Sequence, residues 1–359
     1  MRITVTNPPQ RLLLEEYDNE IDKYIDRASS VDGLLGVMSM GSVGAPGLSD
    51  IDLICVVSDD LKEGSAGGLG VHGFRKDLFL HGPVVVPESM ISQLQYIIYA
   101  TNLISIHGDD YVSSVNTPKE DMDLLKLIYL IDFTESRYGQ YAQVQKRGYI
   151  DQRAWMTRLW SITHTANLVE DLGISLTEGS MDVISEVKSL RKDWLDGGDI
   201  SDDRFVKVFL DSEAVLTDVF KKACDLAYDK LGVSQLPGGS EIVIGNKRVR
   251  CSPEEPSIRG GWARVPRTCQ YVTTYANVLY SVYLRKYGFD ILDESYDKPV
   301  TAMSQLMGTR AEIVRRLNSF HVSKGINFSM GGYLGLPLSE HRWIDEVKFK
   351  LGWMIGHVL

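Results

Sequence analysis

Apolar positions in the first third of the chain change their period several times. Between residues 10 and 29, Leu13, Leu14, Tyr17, Ile21 and Ile25 recur at helical spacing with acids on the other face, which predicts a helix. An extended apolar piece, Leu34–Met40, then ends in Gly41-Ser42, and a second, Ile51–Val57, follows a turn rich in Gly, Ala and Pro. After a loop of Asp, Ser and Gly between Ser58 and Gly73, Leu78–Val86 again reads as extended. Gly82-Pro83 interrupts it, predicting two short strands or one bent strand. Residues 1–118 thus read as a small mixed sheet with helices.

The period becomes helical from Glu120. Trp155, Leu159, Ile162, Ala166 and Val169 fall on one helix face, Val183, Val187, Leu190 and Trp194 repeat the pattern, and Phe205, Phe209, Leu216, Phe220 and Ala227 sustain it. Residues 119–235 are therefore expected to form a helical bundle. Pro237–Arg267 is rich in Gly and Pro, with one plausible strand at Glu241–Ile244, and reads as a linker or as a loop over a site. Helical faces resume with Val272, Tyr275, Leu279 and Val282, and again with Ile344, Val347, Leu351, Met354 and Val358. Residues 236–359 make a third region, a loop segment and C-terminal helices. The expected class is α+β, a sheet domain followed by a mainly α-helical region.

Composition narrows the function classes. Acids outnumber bases 48 to 38, a net charge of −10, the reverse of a protein built to coat nucleic acid. Cys55, Cys224, Cys251 and Cys269 form no Cys-x-x-Cys pair, which fits a reducing compartment and argues against structural zinc. Apolar runs such as Leu124–Phe133 are short and carry Lys126 and Asp132, and the N-terminus lacks the apolar core of a signal peptide, so a cytoplasmic location without membrane spans is expected.

One stretch carries chemistry: Gly41-Ser42-Val43-Gly44-Ala45-Pro46-Gly47-Leu48-Ser49-Asp50-Ile51-Asp52-Leu53. Residues i and i+2 of a strand share a face, so Asp50 and Asp52 present two carboxylates together while Ile51 and Leu53 point into a core. Adjacent carboxylates repel, and a divalent cation between them offsets the repulsion. Hard oxygen ligands suit magnesium, which also holds substrate phosphates. A glycine at the strand end lets a phosphate approach the backbone, and the Ser42 hydroxyl and amide can donate to its oxygens. A plain reading of the same residues is the polar face of an edge strand beside a turn.

The combination resembles the DNA polymerase β-like nucleotidyltransferase superfamily, whose signature is strand, Gly-Ser, short turn, Asp-x-Asp, strand. The resemblance covers roughly residues 30 to 90. It implies that Asp50 and Asp52 hold two magnesium ions, that Gly41 and Ser42 hold the triphosphate of an NTP, and that a third carboxylate lies on a nearby strand. Asp77, before the apolar Leu78-Phe79-Leu80, is the candidate for that third catalytic and metal-binding acid. Its alternative is a solvated strand start beside Arg75 and Lys76. The implied activity is transfer of a nucleoside monophosphate from an NTP to an acceptor hydroxyl, releasing pyrophosphate.

The acidic balance favours a small-molecule acceptor. The alternatives are an RNA 3′-end, a nucleotide acceptor, or a catalytically silent nucleotide-binding scaffold. Lys247, Arg248, Arg250, Arg259, Arg264 and Arg267 could grip phosphates, with Trp262 stacking on a base, or could simply form a solvated loop. His81 and His107 lie near the sheet domain as ordinary histidines or cleft residues, and His164 sits off the apolar face of its helix. Arg310, Arg315 and Arg316 read as a wet helix face. Gly68-Leu69-Gly70-Val71-His72-Gly73 matches Gly-x-Gly-x-x-Gly but lacks the strand before and helix after that a dinucleotide site needs, and no P-loop sequence occurs.

Overall fold

A computed structural model describes residues 3–231, 241–244, 247–252, 270–273 and 302–326. Helix α1 (Leu14–Ala28) precedes strands β2 (Leu34–Met40) and β3 (Asp52–Val57), which pair antiparallel with Met40 opposite Asp52. β4 (Val84–Pro87) runs parallel to β3, and β5 (Ile104–Gly108) antiparallel to β2, giving the order β4-β3-β2-β5.

The sheet is covered on both faces, and the alternation along β3 shows how. Leu53, Cys55 and Val57 enter one apolar cluster with Tyr17 and Tyr24 of α1. Ile54 and Val56 enter another with Leu94 and Ile97 of the short helix α2 (Leu94–Ile97) and with Ile313 and Leu317 of α7 (Ala302–Lys324). A strand buried on both sides reads as a continuous apolar run, as Leu53–Val57 does.

The helical block forms as its periodicity predicts: α3 (Lys119–Arg147), α4 (Gln152–Asp171), α5 (Glu178–Leu195) and α6 (Asp202–Leu231). Phe205, Phe209, Leu216, Phe220 and Ala227 are fully buried. Tyr141, Trp155 and Phe209 meet with ring centroids 4.6 Å apart. Asp218 of α6 ties α5 in place, because its carboxylate accepts from the amide (2.8 Å) and hydroxyl (3.0 Å) of Thr177, the N-cap of α5, and from the Ser180 hydroxyl. Although burial opposes the charge, the Thr177, Lys222 and Ser180 partners hold the Asp218 pKa below its usual value. A depressed carboxylate stabilises the fold above the unfolded pKa and loses that contribution as pH falls through the folded one. Asp218→Asn should therefore lower stability by ~1–3 kcal/mol at pH 7 in urea unfolding, with the difference from the parent shrinking toward pH 3.

Three departures from the sequence reading have tertiary causes. In α1 the buried positions are Tyr17, Glu20, Tyr24 and Ala28, whereas Leu13 and Leu14 are exposed. The helix is turned so that two tyrosine hydroxyls reach backbone carbonyls. Leu78–Leu80 is not a strand: Leu78 and Phe79 donate to the Arg75 carbonyl in a turn, and β4 begins only at Val84. Arg310 is buried rather than wet, donating to the Tyr96 carbonyl (3.1 Å), while Arg316 is exposed.

Packing also crosses the boundaries expected at 118 and 236. β1 (Thr4–Thr6) pairs with β6 (Tyr149–Asp151), and α7 packs against the sheet. Glu241–Ile244 is a strand, β7, beside β8 (Lys247–Ser252) and β9 (Gln270–Thr273). Val272, expected on a helix with Tyr275, Leu279 and Val282, instead lies in β9 opposite Cys251. The rest of that expected helix, the helix from Ile344 to Val358, and Arg259, Trp262, Arg264 and Arg267 lie outside the described residues.

Candidate metal centre

The antiparallel register of β2 and β3 brings both halves of the motif to one sheet end. Met40 is opposite Asp52, so Gly41-Ser42 leaves β2 where Asp52 opens β3. Gly41 has φ +78° and donates its amide to the Thr101 carbonyl at 2.9 Å. Ile51 and Leu53 are 4% and 2% exposed, so the inward half of the expected alternation holds. Asp50 itself precedes the regular strand.

The turn between the two halves is clamped from three sides. Tyr17 of α1 donates its hydroxyl to the Ser49 carbonyl (2.7 Å) and receives the Gly47 amide (2.9 Å). Thr157 of α4 donates to the Leu48 carbonyl (2.6 Å), and buried Arg153 donates to the carbonyls of Ser49 (2.8 Å) and Asp77 (2.5 Å). These bonds fix the backbone that delivers Asp50.

A third side chain with a ligand atom comes from the segment before β4. Ile54 of β3 faces Val84 of β4, so the residues just upstream, His81 and Gly82, fall beside Asp52. One ligand atom each from Asp50, Asp52 and His81 lies within 4.8 Å of the others. His81 Nδ1–H donates to the Gly82 carbonyl (2.8 Å), because a carbonyl can only accept, and this turns Nε2 toward the carboxylates. Nε2 is 2.8 Å from Asp52 Oδ1.

The three side chains perturb one another's charge. Burial first, then the charge of Asp52, pushes the Asp50 pKa up to about 6. Burial opposes charge on His81, but the neighbouring Asp52 carboxylate prevails and raises its pKa to about 9. Asp52 Oδ1 is a buried oxygen whose close polar neighbour is the half-exposed His81 ring, with Nε2 at 2.8 Å. Two carboxylates and an imidazole nitrogen this close together are ligand atoms of the kind a divalent cation takes.

Asp77 is not part of this group. Its two oxygens are held in a fork by Arg75, Nε at 3.2 Å and Nη2 at 2.6 Å, and Arg75 also pairs with Glu16 at 2.9 Å. The turn at Arg75–Phe79 replaces the expected strand, so nothing carries Asp77 alongside Asp52. Asp77 instead borders a cavity of about 330 Å³ under Gly47, with Arg75, Arg153, Asn7 and Gln10. Of the other histidines considered, His107 binds the Ser29 hydroxyl (3.0 Å) and exposed His164 packs edge-on against Trp160.

No family model, curated protein or solved structure matches this chain. The functional reading therefore rests on the geometry above. His81 carried only a faint signal in sequence, its nearness to the sheet. Arg153 carried none, since an arginine on a helix gives no hint that its side chain crosses to another element.

Proposed function

We propose that this chain is a magnesium-dependent nucleotidyltransferase that moves a nucleoside monophosphate from an NTP to an acceptor hydroxyl. The observation that carries the proposal is the convergence of Asp50, Asp52 and His81 ligand atoms within 4.8 Å at the sheet end where Gly41-Ser42 emerges. Asp50 and Asp52 are the residues that would hold divalent ions, with His81 in the third place. Such ions supply charge neutralisation on the triphosphate and a more acidic acceptor hydroxyl. The chain's own residues do the rest: the clamped turn positions Asp50, the Gly41 backbone admits a phosphate, and Ser42 supplies donors to it. The acceptor oxygen bonds to the α-phosphorus as the bond to pyrophosphate breaks. The acidic net charge favours a small-molecule acceptor over RNA, and the cysteines, which form no Cys-x-x-Cys pair, favour a reducing, cytoplasmic compartment. Among the described residues no helix is long and apolar enough to cross a membrane.

Incubation with each α-labelled NTP, magnesium and a panel of acceptor alcohols tests the reading. Labelled product and pyrophosphate are expected with magnesium and not with excess chelator. Absence of both for every NTP and acceptor, with nucleotide still bound, would leave the second reading, a silent nucleotide-binding protein. That reading is favoured by one observation, the engagement of Asp77 by Arg75 in place of a third carboxylate.

Because Asp77 lies outside the ligand group, Asp77→Asn should keep turnover within about threefold of the parent and lower stability by ~0.5–1 kcal/mol through its partly exposed pair with Arg75. A thousandfold loss of turnover in a folded variant would restore Asp77 to the catalytic set.

A further inference from the structure

Three arginines of the helical block have no salt-bridge partner among the described residues, and two of them reach the turn that leads to Asp50. Arg153 is 4% exposed, and its polar partners are the Ser49 and Asp77 carbonyls and the Thr157 hydroxyl. Arg191 of α5 is 8% exposed, with one long contact to the Ser49 hydroxyl (3.4 Å) and its guanidinium 4.3 Å from the Trp160 ring centre. Arg158 of α4, partly buried, stands 5.6 Å from the Trp155 ring. Other cations of the chain are treated differently: Arg75 pairs with Glu16 and Asp77, Arg204 with Glu186 and Asp193, Lys126 with Asp171. A chain with ten more acids than bases has nevertheless, among the described residues, placed none in a salt bridge with these three arginines.

Carbonyls, hydroxyls and ring faces satisfy donors but do not neutralise charge, so the three guanidinium groups are balanced only at a distance, by Asp50, Asp77 and Asp151. Arg153 and Arg191 both reach Ser49, the residue before Asp50, and Arg158 lies about one and a half turns along α4 from Arg153, within electrostatic reach of Asp50. Burial, then the neighbouring Arg137, pulls Arg158 down to about 10, and burial, then Arg153, does the same to Arg191. Divalent ions at Asp50 and Asp52 would make the region more positive still. The negative oxygens of a substrate phosphate would balance it.

We propose that Arg153, Arg158 and Arg191 form a phosphate-binding site on the helical side of the carboxylate pair, taking the oxyanions of a phosphorylated substrate. The planar guanidinium fork matches phosphate geometry and remains charged at all working pH. The assignment of those oxyanions to a substrate rests on the nucleotidyl-transfer reading, whereas the anion site itself does not. Two sources share this chemistry, the triphosphate tail of the NTP and a phosphate borne by the acceptor.

The test is calorimetric titration of the full chain with inorganic tripolyphosphate in chelator, without magnesium. Micromolar binding that weakens steeply with salt is expected. Arg158→Gln and Arg191→Gln should each weaken it by about tenfold or more, Arg158→Lys and Arg191→Lys by much less, and Arg204→Gln not at all. Should the buried Arg191→Gln variant fail to fold, the partly exposed Arg158→Gln still decides. Absence of tripolyphosphate binding, or equal binding by parent and both glutamine variants, overturns the site.

Competition identifies the source. Displacement of tripolyphosphate by an NTP but not by a nucleoside monophosphate assigns the site to the triphosphate tail. Displacement by the monophosphate assigns it to a single phosphate on the acceptor. Intact tripolyphosphate binding without nucleotidyl transfer to any acceptor would remove the proposed activity and leave the anion site. Transfer that is unaffected by both glutamine variants would do the reverse.

Discussion

Asp52→Asn should abolish turnover, by roughly 10³-fold or more, while leaving the thermal melt of the metal-free protein nearly unchanged. The rate loss follows if ions held by Asp52 neutralise developing charge, an effect of several kcal/mol, where ~4 kcal/mol corresponds to a thousandfold. The unchanged melt follows from two opposed terms. Asp50 has a raised pKa, so its protonated form favours the fold at low pH, and that contribution is lost as pH rises through about 6. Removing the Asp52 charge relieves this. His81 also has a raised pKa, so its pairing with Asp52 stabilises fully below the unfolded value near 6.5 and disappears only as pH rises through about 9. Removing the Asp52 charge forfeits this.

Magnesium then separates parent from variant. It should raise the melting temperature of the parent and not of Asp52→Asn, and more at pH 8 than at pH 5.5, where protons on Asp50 and His81 compete with the ion. A variant with parental turnover, or a parent whose melt ignores magnesium at both pH values, would dismantle the metal centre.

The distance between what the sequence disclosed and what it hid is instructive at this same site. Gly41-Ser42 and Asp50-Ile51-Asp52 were legible because their chemistry depends on local alternation and on a glycine at a strand end, both written within a few consecutive residues. The third side chain of the cluster was not, because its identity depends on the register between two strands. Had Leu80 stood opposite Ile54 in place of Val84, Asp77 would have taken the position three residues upstream that His81 holds. Since β4 begins at Val84, opposite Ile54, His81 arrives instead. A shift of a few residues in where pairing starts exchanges an aspartate for a histidine, and nothing in the composition of Phe74–Val86 fixes that start.

The helical block was legible for the opposite reason: long helices repeat their apolar face many times, and one misplaced residue does not disturb the pattern. What escaped there was polar. Arg153, Arg191 and Arg310 are buried through hydrogen bonds to backbone carbonyls or a hydroxyl far along the chain, partners that no spacing rule reveals.

Gly47→Ala should destabilise the protein by ~3–5 kcal/mol and should also weaken activity in whatever fraction folds. Gly47 has φ +88°, a region that costs an L-residue about 1–2 kcal/mol. The added Cβ would lie 2.1 Å from the Gln10 carbonyl oxygen and 2.8 Å from the Trp194 ring. The first obstacle is backbone and the second a buried indole, so neither swings aside as a flexible side chain would, and overpacking of this kind adds ~1–3 kcal/mol. Relief requires the turn itself to move. Because the Gly47 amide donates to the Tyr17 hydroxyl and that hydroxyl holds the Ser49 carbonyl, the movement passes to Asp50. Gly41→Ala is the matched comparison. Its φ is +78°, but no atom lies within 4 Å of the new Cβ, so its stability should fall by only ~1–2 kcal/mol. Urea midpoints of the two variants measured side by side isolate the steric part, and a Gly47→Ala protein as stable as Gly41→Ala would mean that the turn is not clamped between Gln10, Trp194 and Tyr17.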